Sequence, residues 1–276
     1  MNFISTILIL PFLVVWFLFN LVSIGVGVWV IFQEKGIIES FKFIFRDPLF
    51  WISLKNSFLY GLVVIPVQLF SFMIAFLIYR LESKMGYFFR TILYLPVVVP
   101  IASIAFVFKV MFNDEGIVNN FLSNFLGLKV PFLSNFYYAM LVAFLLTLWK
   151  GLGYYVIIYL SGLYSISREV VEVSIIDSMN GFQRLIWVYI PMLRGTFYFA
   201  SFLSLLAALK VFAEIFIITE GGPGTSTYTL MMYIYSRAFY SFDLSTAIAA
   251  SFVLSFFAIL ISLLVFRKQL ESFKFS

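Results

Sequence analysis

Apolar residues dominate six long stretches of the chain, and shorter polar segments separate them. A transmembrane helix needs about 20 apolar residues to cross roughly 30 Å of hydrocarbon. The stretches that meet this length are residues 4–32, 58–79, 91–112, 138–166, 192–218 and 245–266. The ten-residue alternation that is typical of membrane β-barrels does not occur. The pattern predicts an all-α, polytopic membrane bundle with six transmembrane helices.

Composition also indicates that the solvent of this chain is lipid. Of the 276 residues, 63% are hydrophobic and 11% are charged, whereas soluble domains carry about 25% charged residues. The absence of Cys and His removes thiol nucleophiles and the histidine-based catalytic and zinc sites. The net charge of +5 is spread along the chain, which argues against nucleic-acid binding. We therefore expect a membrane protein with no catalytic residue, no metal site and no cofactor.

The N-terminal stretch lacks the positive region and the small-residue cleavage site of a signal peptide, so we interpret it as a retained first span. We divide the chain into residues 1–57, a first transmembrane helix with an external loop, and residues 58–276, a five-helix core. An even number of spans places both termini on one side. If that side is the cytoplasm, the inner segments hold slightly more Lys and Arg than the outer ones, in agreement with the positive-inside rule.

Residues 167–191 are too polar to span a membrane and too apolar for a simple linker. Ser167 is a suitable N-cap, and Gly181 can end the helix that follows because glycine tolerates the left-handed conformation. A second short helix is predicted from Phe182 to near Pro191. Such a helix–turn–helix elbow at the cytoplasmic surface can dock a protein partner or lie on the lipid as an amphipathic helix.

The elbow contains a recognisable motif. From Glu172 the chain reads EVSIIDSMNGFQRLIWVYIP. This segment resembles the EAA motif of binding-protein-dependent ABC importer permeases, with Glu172 and Asp177 at the positions of its acidic residues, and Gln183 and Pro191 at its glutamine and closing proline. In that family the segment forms coupling helices that dock into a groove of the cytoplasmic ATPase. The resemblance implies that the ATPase-coupling residues are Glu172, Ser174, Asp177, Ser178, Gly181 and Pro191.

The motif also departs from the family pattern. Ser174 replaces an alanine, and Ser178 replaces the glycine that allows a sharp turn between the two coupling helices. We therefore expect Gly181, three residues after Ser178, to make the turn in this chain.

Three further segments extend the resemblance over nearly the whole chain. Residues 47–56, DPLFWISLKN, are similar to the D-P-x-F-W-x-x-L-x-N segment at the start of the family's permease core. Residues 149–155, WKGLGYY, resemble a span of sugar permeases. Residues 219–223, TEGGP, followed by Thr227, resemble an external loop of the maltose-type transmembrane subunit in carbohydrate importers. The resemblance implies the type I, MetI-like ABC permease fold.

The resemblance also implies a function and a set of partners. The chain would be a permease subunit that moves a sugar, oligosaccharide or polyol across a bacterial or archaeal cytoplasmic membrane. The implied partners are membrane lipid, a second permease subunit that completes a heterodimer, two copies of an ABC ATPase and an extracytoplasmic solute-binding protein, with no nucleic acid. No Walker sequence occurs in this chain, so it is not expected to be an enzyme. The alternatives are a stand-alone ion-coupled secondary transporter and a membrane scaffold.

A few polar and aromatic residues within the spans are candidates for the substrate path. Trp149 and Tyr154 have aromatic faces that can stack on sugars, and Gly151 leaves space for a ligand. Lys150 near the middle of its span either faces the path or snorkels to its edge. Lys210 and Glu214 lie four residues apart, which predicts a structural ion pair on one helix face. A secondary transporter would instead require Glu214 as a titrating carboxylate.

Overall fold

The computed structural model describes residues 3–81 and 83–273, and every regular element in these ranges is helical. The helices are α1 (Phe3–Phe17), α2 (Ser23–Glu34), α3 (Ile37–Arg46), α4 (Pro48–Gly61), α5 (Val64–Tyr79), α6 (Ser83–Val98), α7 (Ile101–Met111), α8 (Ile117–Leu126), α9 (Phe136–Ser165), α10 (Arg168–Ile176), α11 (Gly181–Arg184), α12 (Ile190–Met192), α13 (Arg194–Leu209), α14 (Ala213–Ile218), α15 (Leu230–Phe239) and α16 (Leu244–Phe273). Two π-helical turns, Leu18–Val22 and Leu185–Tyr189, join α1 to α2 and α11 to α12.

Helix length and hydropathy define the candidate membrane spans. Four segments are long and apolar enough to cross a membrane as single helical runs: Ile9–Glu34, Pro48–Tyr79, Phe136–Ser165 and Leu244–Val265. Two further candidates are bent helix pairs, with a bend of 90° between α6 and α7 and of 68° between α12 and α13. The described residues thus contain up to six spans, and the predicted all-helical membrane fold is confirmed.

Proline explains the sharper of the two bends. Pro96 and Pro100 carry no backbone N–H, so neither can donate the hydrogen bond that continues an α-helix. Pro100 has φ −55° and ψ 134°, an extended conformation that separates the end of α6 from the start of α7. The apolar stretch at residues 91–112 is therefore a broken helix rather than a straight one.

The chain divides into two compact units, and the first contains the described parts of residues 1–51 and 233–255. In this unit the buried rings of Phe50 and Tyr233 meet edge to face with centroids 5.7 Å apart. Arg237 lies 2.5 Å from Asp47 in an ion pair whose two side chains are largely buried. Aromatic and ionic contacts thus hold α15 against the start of α4. The predicted domain boundary after residue 57 stays a prediction.

The carboxylate of Asp47 is the polar centre of this first unit. It accepts hydrogen bonds from the Tyr233 hydroxyl at 2.7 Å, from the Leu49 backbone N–H at 2.9 Å and from Arg237. Burial alone would raise the pKa of Asp47, but these hydrogen bonds and the charge of Arg237 outweigh it and lower the pKa below its ordinary value. Asp47 is therefore held in its ionised form.

The second unit contains the described parts of residues 52–232 and 256–276 and has its core between α5, α9 and α13. The ring of Phe72 lies 5.5 Å from that of Tyr159 and 4.8 Å from that of Phe197. Gly162 allows the close approach of α13, since a Cβ atom there would lie 2.6 Å from Oγ1 of Thr196. Small residues at helix contacts are a usual feature of membrane bundles, where close backbone packing replaces the hydrophobic effect.

Candidate functional site: a surface elbow and a cavity between helices

The elbow between α9 and α13 begins as the sequence predicts, with α10 starting directly after Ser167. The Ser167 side chain makes no capping hydrogen bond, however. The next helix, α11, starts at Gly181 and has Asn180 as its N-cap. Asn180 and Gln183 form a capping box, in which each side chain accepts a hydrogen bond from the other residue's backbone N–H at 2.8 and 2.9 Å.

The turn within the elbow lies at Ser178 rather than at Gly181. Ser178 has φ +55°, the left-handed conformation, whereas Gly181 is the first residue of α11 and has no positive φ. The expectation that Gly181 makes the turn is therefore wrong. The chain turns at the position where the resembled motif has its glycine, although a serine occupies it here.

Most of the predicted coupling residues lie at the surface of the elbow. Glu172, Asp177 and Ser178 are exposed, whereas Ser174 is buried and donates a hydrogen bond to the Val171 carbonyl at 2.6 Å. Large apolar side chains surround the exposed acids, with Ile176 79% and Trp187 71% exposed. The other exposed large apolar residues of the elbow are Val173, Ile175, Phe182, Ile186 and Ile190. An exposed apolar surface of this kind suits a protein partner or the surface of the lipid bilayer.

A buried tyrosine connects the elbow to the helical core. Tyr189 lies in the π-helical turn between α11 and α12, and its ring packs 5.3 Å from that of Phe76 and 5.9 Å from that of Tyr79. Pro191 follows in α12, just before the 68° bend at Leu193. Aromatic packing therefore connects the elbow to α5.

The candidate substrate residues on α9 have different environments. Lys150 donates hydrogen bonds from Nζ to the carbonyls of Pro96, Val97 and Val99 at 3.0, 3.2 and 2.5 Å. These carbonyls lie at the broken end of α6, where no helical N–H is available to them. Lys150 therefore caps the broken helix, an outcome that sequence reasoning did not anticipate.

The aromatic candidates on α9 are partly exposed. Trp149 is 47% exposed and stacks on Phe108 of α7 with ring centroids 6.0 Å apart, at the edge of an apolar groove. Tyr154 is 42% exposed and meets Tyr155 edge to face. Gly151 lies elsewhere, at a partly open cavity lined by residues of α4, α5, α9, α13 and α14. The structure thus does not bring the four predicted residues together into one site.

The cavity beside Gly151 has a volume of ≈ 70 Å³ and a lining of mixed polarity. Its polar side chains are Tyr60, Thr147, Tyr155, Ser204 and Glu214, and the rest of the lining is valine, alanine and glycine. Thr147, Gly151 and Tyr155 repeat every four residues, so they share one face of α9. This stripe is the signal that sequence analysis could have used to find the cavity residues.

Hydrogen bonds order the polar groups around the cavity. The hydroxyls of Tyr60 and Thr147 bond to each other. Gln68 donates to Ser204 Oγ at 2.8 Å and accepts from the Tyr159 hydroxyl at 2.7 Å. Glu214 is the acidic member of the lining. Among the described residues, no group of three or more acidic side chains could hold a metal ion.

Glu214 does not pair with Lys210, contrary to the prediction from their spacing. α13 ends at Leu209 and α14 begins at Ala213, so the two residues do not share a continuous helix. Neither forms an ion pair with any residue that the structure describes. The break between the helices places Glu214 at the cavity instead.

Two of the segments that carry the family resemblance contact each other. Asn56 donates hydrogen bonds to the carbonyls of Thr225 and Tyr228 at 3.3 and 3.0 Å, so α4 holds the loop after α14. Within that loop, the hydroxyls of Thr219 and Thr227 lie 2.7 Å apart. The side-chain hydrogen bond and the charge of Lys109 lower the pKa of Glu220 in the same loop.

Comparisons with known proteins give a consistent assignment. The family described as "Binding-protein-dependent transport system inner membrane component" matches residues 68–270. The lactose transport system permease protein LacF of Rhizobium radiobacter is 30% identical over 234 residues, which are 83% of this chain and 78% of the relative. The sn-glycerol-3-phosphate transport system permease protein UgpA of Salmonella choleraesuis is 28% identical over 276 residues, which cover 95% of this chain and 92% of the relative.

A solved structure has the same fold. The crystal structure of a bacterial ABC transporter involved in the import of the acidic polysaccharide alginate superposes with a TM-score of 0.87. The match has 23% identity and covers 97% of this chain and 95% of the alginate transporter chain. Together with the family match over most of its length, these similarities show that this chain belongs to the inner membrane components of binding-protein-dependent transport systems.

Proposed function

We propose that this chain is one of two permease subunits in an ATP-driven importer of a carbohydrate or related polyol. Relatives are named for the transport of lactose, arabinooligosaccharides and sn-glycerol-3-phosphate. The hydroxyl-lined cavity beside Gly151 supports this substrate class, because hydroxyl and carboxylate groups can form hydrogen bonds with the hydroxyls of a polyol. The cavity enclosed by a single chain has room for about two water molecules. A second permease subunit therefore completes the path for a whole sugar ring.

The observation that carries this proposal is the elbow of residues 167–191, with its exposed acids and large apolar side chains next to a buried link to the core. In the proposed assembly it docks on one of two ATPase copies, with Glu172, Asp177 and Ser178 at the contact. Ser174, Gly181 and Pro191 shape the elbow. Closure of the ATPase dimer moves the elbow, and Tyr189 transmits that movement to the spans, so that access to the cavity alternates between the two sides.

The substrate path in this proposal runs along α9. Gly151 borders the cavity, and Trp149 and Tyr154 offer partly exposed aromatic faces for stacking against sugar rings. Lys150 acts by holding the broken α6 in place beside that path.

The proposed location is the bacterial or archaeal cytoplasmic membrane, with both termini and the elbow in the cytoplasm. An extracytoplasmic solute-binding protein then delivers the substrate from the opposite side. A solved alginate ABC transporter with this fold is described in complex with its substrate-bound periplasmic protein, which supports such a partner.

The test is purification of the tagged protein from its native membrane in a mild detergent, followed by mass spectrometry. We expect recovery of a second, homologous permease in equal amount, together with two ATPase copies for each permease pair. A stable chain that purifies alone, and whose transport depends on an ion gradient, would contradict the proposal. It would indicate the ion-coupled secondary transporter instead.

A further inference from the structure

The cavity beside Gly151 holds one acidic side chain and no basic one among its lining residues. Glu214 lines it together with the hydroxyl groups of Tyr60, Thr147, Tyr155 and Ser204. Among the described residues, Glu214 forms no ion pair, and its carboxylate accepts a hydrogen bond only from its own backbone N–H. A carboxylate has about four acceptor positions, so acceptor positions are left for a ligand. A charged group inside a membrane span is costly and is usually retained for a function.

Lys150 is a nearby cation, and its N–H donors bind backbone carbonyls of residues that do not line the cavity. Lys150 interacts electrostatically with Glu214, but it is not part of the cavity lining. An ammonium group has three N–H donors, and Lys150 directs hydrogen bonds to three backbone carbonyls, those of Pro96, Val97 and Val99. It therefore has no donor left to bind a carboxylate, phosphate or sulfonate of a substrate.

We propose that Glu214 makes this cavity selective for uncharged carbohydrates over acidic ones. A carboxylate accepts strong, charge-assisted hydrogen bonds from sugar hydroxyls, and it repels an anionic substituent at the same place. The small volume of the cavity suits one hydroxyl or hydroxymethyl group of the sugar. This inference rests on the proposed function, and it narrows the substrate class, since the relatives include transporters named for both neutral and acidic compounds.

The absence of cysteine from the chain allows a direct test of this selectivity. Ala207 is exposed and lines the same cavity, so the A207C variant places a single thiol close to Glu214. Two methanethiosulfonate reagents of similar size would be used as probes, one with a trimethylammonium group and one with a sulfonate group. Both form a mixed disulfide with the thiol and release methanesulfinate. Their reaction rates are measured on the purified transporter complex in lipid nanodiscs during ATP hydrolysis.

We expect the ratio of the cationic to the anionic reaction rate in A207C to be roughly tenfold higher than the same ratio for a small thiol in solution. One nearby unit negative charge produces an effect of about this size. Adding Glu214→Gln should return the rate ratio to its solution value. The matched control is Glu220→Gln, which removes an exposed carboxylate of the neighbouring loop and should leave the ratio unchanged. The near-isosteric S204C variant provides a second reporter in the same cavity if A207C fails to fold.

Two results would overturn the proposal. Equal ratios with and without Glu214→Gln would show that the carboxylate does not select by charge, and reporters that neither reagent reaches would show that the cavity does not open to solutes. If either result is obtained with a complex that still contains the ATPase and the second permease, the charge selectivity is rejected and the proposed function is not. Failure to recover those partners rejects the proposed function.

Discussion

Two single residues, Ser178 and Asp47, control local structure in ways that can be tested separately. Ser178 adopts the left-handed backbone conformation in the turn of the elbow. That conformation costs a non-glycine residue about 1–2 kcal/mol. Asp47 collects hydrogen bonds from a tyrosine, an arginine and a backbone N–H, and these hold its carboxylate in the ionised form. The first residue carries a conformational cost, whereas the second stabilises a contact between distant parts of the chain.

Replacing Ser178 by glycine should stabilise the protein. The variant Ser178→Gly should raise the free energy of unfolding by roughly 1 kcal/mol, because glycine adopts the left-handed conformation without steric cost. Thermal unfolding in detergent measures the change. The matched control is Gly181→Ala, which should cause no loss of stability, since its Cβ would meet only Arg80 at 3.7 Å. Destabilisation by Gly181→Ala together with no gain from Ser178→Gly would place the turn at Gly181 instead.

The ion pair of Asp47 predicts a specific pH dependence. The folded-state pKa of Asp47 is lowered from 3.8, so its ionised form stabilises the fold above that pH, and the contribution is lost as the pH falls through the folded-state pKa. Asp47→Asn should therefore cost about 2 kcal/mol at neutral pH. The difference in unfolding temperature between Asp47→Asn and the unchanged protein should become smaller as the pH falls below about 4.

A control for this pH experiment is the exposed pair of Lys42 and Glu39. Glu39→Gln removes a carboxylate of the same unit, but surface ion pairs contribute little to stability. A pH-independent effect of Asp47→Asn would contradict the role assigned to its ionised carboxylate.

At the scale of helices, the broken pair of α6 and α7 depends on a side chain from another helix. The bend leaves backbone carbonyls at the end of α6 without helical partners, and Lys150 of α9 supplies hydrogen bonds to them. Its positive charge also suits the negative end of the helix dipole. The shape of one element is thus maintained by a neighbour that lies far away in the sequence.

Removing the lysine donors should loosen this bend. Lys150→Met should lower the free energy of unfolding by about 2 kcal/mol, because it leaves the carbonyls at the end of α6 unpaired in an apolar environment. It should also speed hydrogen–deuterium exchange of the amides around residues 97–105. Lys129→Met is the matched control, since Lys129 is exposed and should be replaceable without effect. Unchanged exchange in Lys150→Met would mean that the prolines alone maintain the bend.

At the scale of the whole molecule, the chain belongs to the inner membrane components of binding-protein-dependent transport systems, and the prediction of an ABC importer permease is confirmed over that of a secondary transporter. Such a subunit receives its energy from outside the membrane, so it needs a surface that moves with the ATPase. The elbow has the exposure and the connection to the core that this requires.

Charge reversal on the elbow should separate docking from folding. Glu172→Lys should weaken association with the ATPase by roughly tenfold, or about 1.4 kcal/mol, because it changes an exposed charge at the proposed contact. Quantitative co-purification from membranes measures the effect, and the amount of inserted permease should not change. Asp114→Lys, which reverses an exposed acid outside the elbow, is the matched control. Normal recovery of the ATPase with Glu172→Lys would remove Glu172 from the contact.

The sequence by itself determined that the protein lies in a lipid membrane, that its fold is all-helical and that it belongs to this family of permeases. Long apolar stretches are visible in the sequence because a helix in lipid must be apolar along its whole length. The EAA-like segment is visible because its residues are close together in the chain. The start of α10 directly after Ser167 is also a local feature that the sequence predicts correctly, although the Ser167 side chain makes no capping hydrogen bond.

Only the tertiary structure decided which residues meet. The residues that line the cavity include Tyr60, Thr147, Ser204 and Glu214, which belong to four different helices. Lys150 donates hydrogen bonds to backbone carbonyls about fifty residues earlier in the chain. The four-residue spacing of Lys210 and Glu214 predicted a pair that a helix break prevents. The physical reason is the same in each instance. Local spacing specifies neighbours only while the helix continues, whereas breaks, bends and contacts between helices depend on how the whole bundle packs.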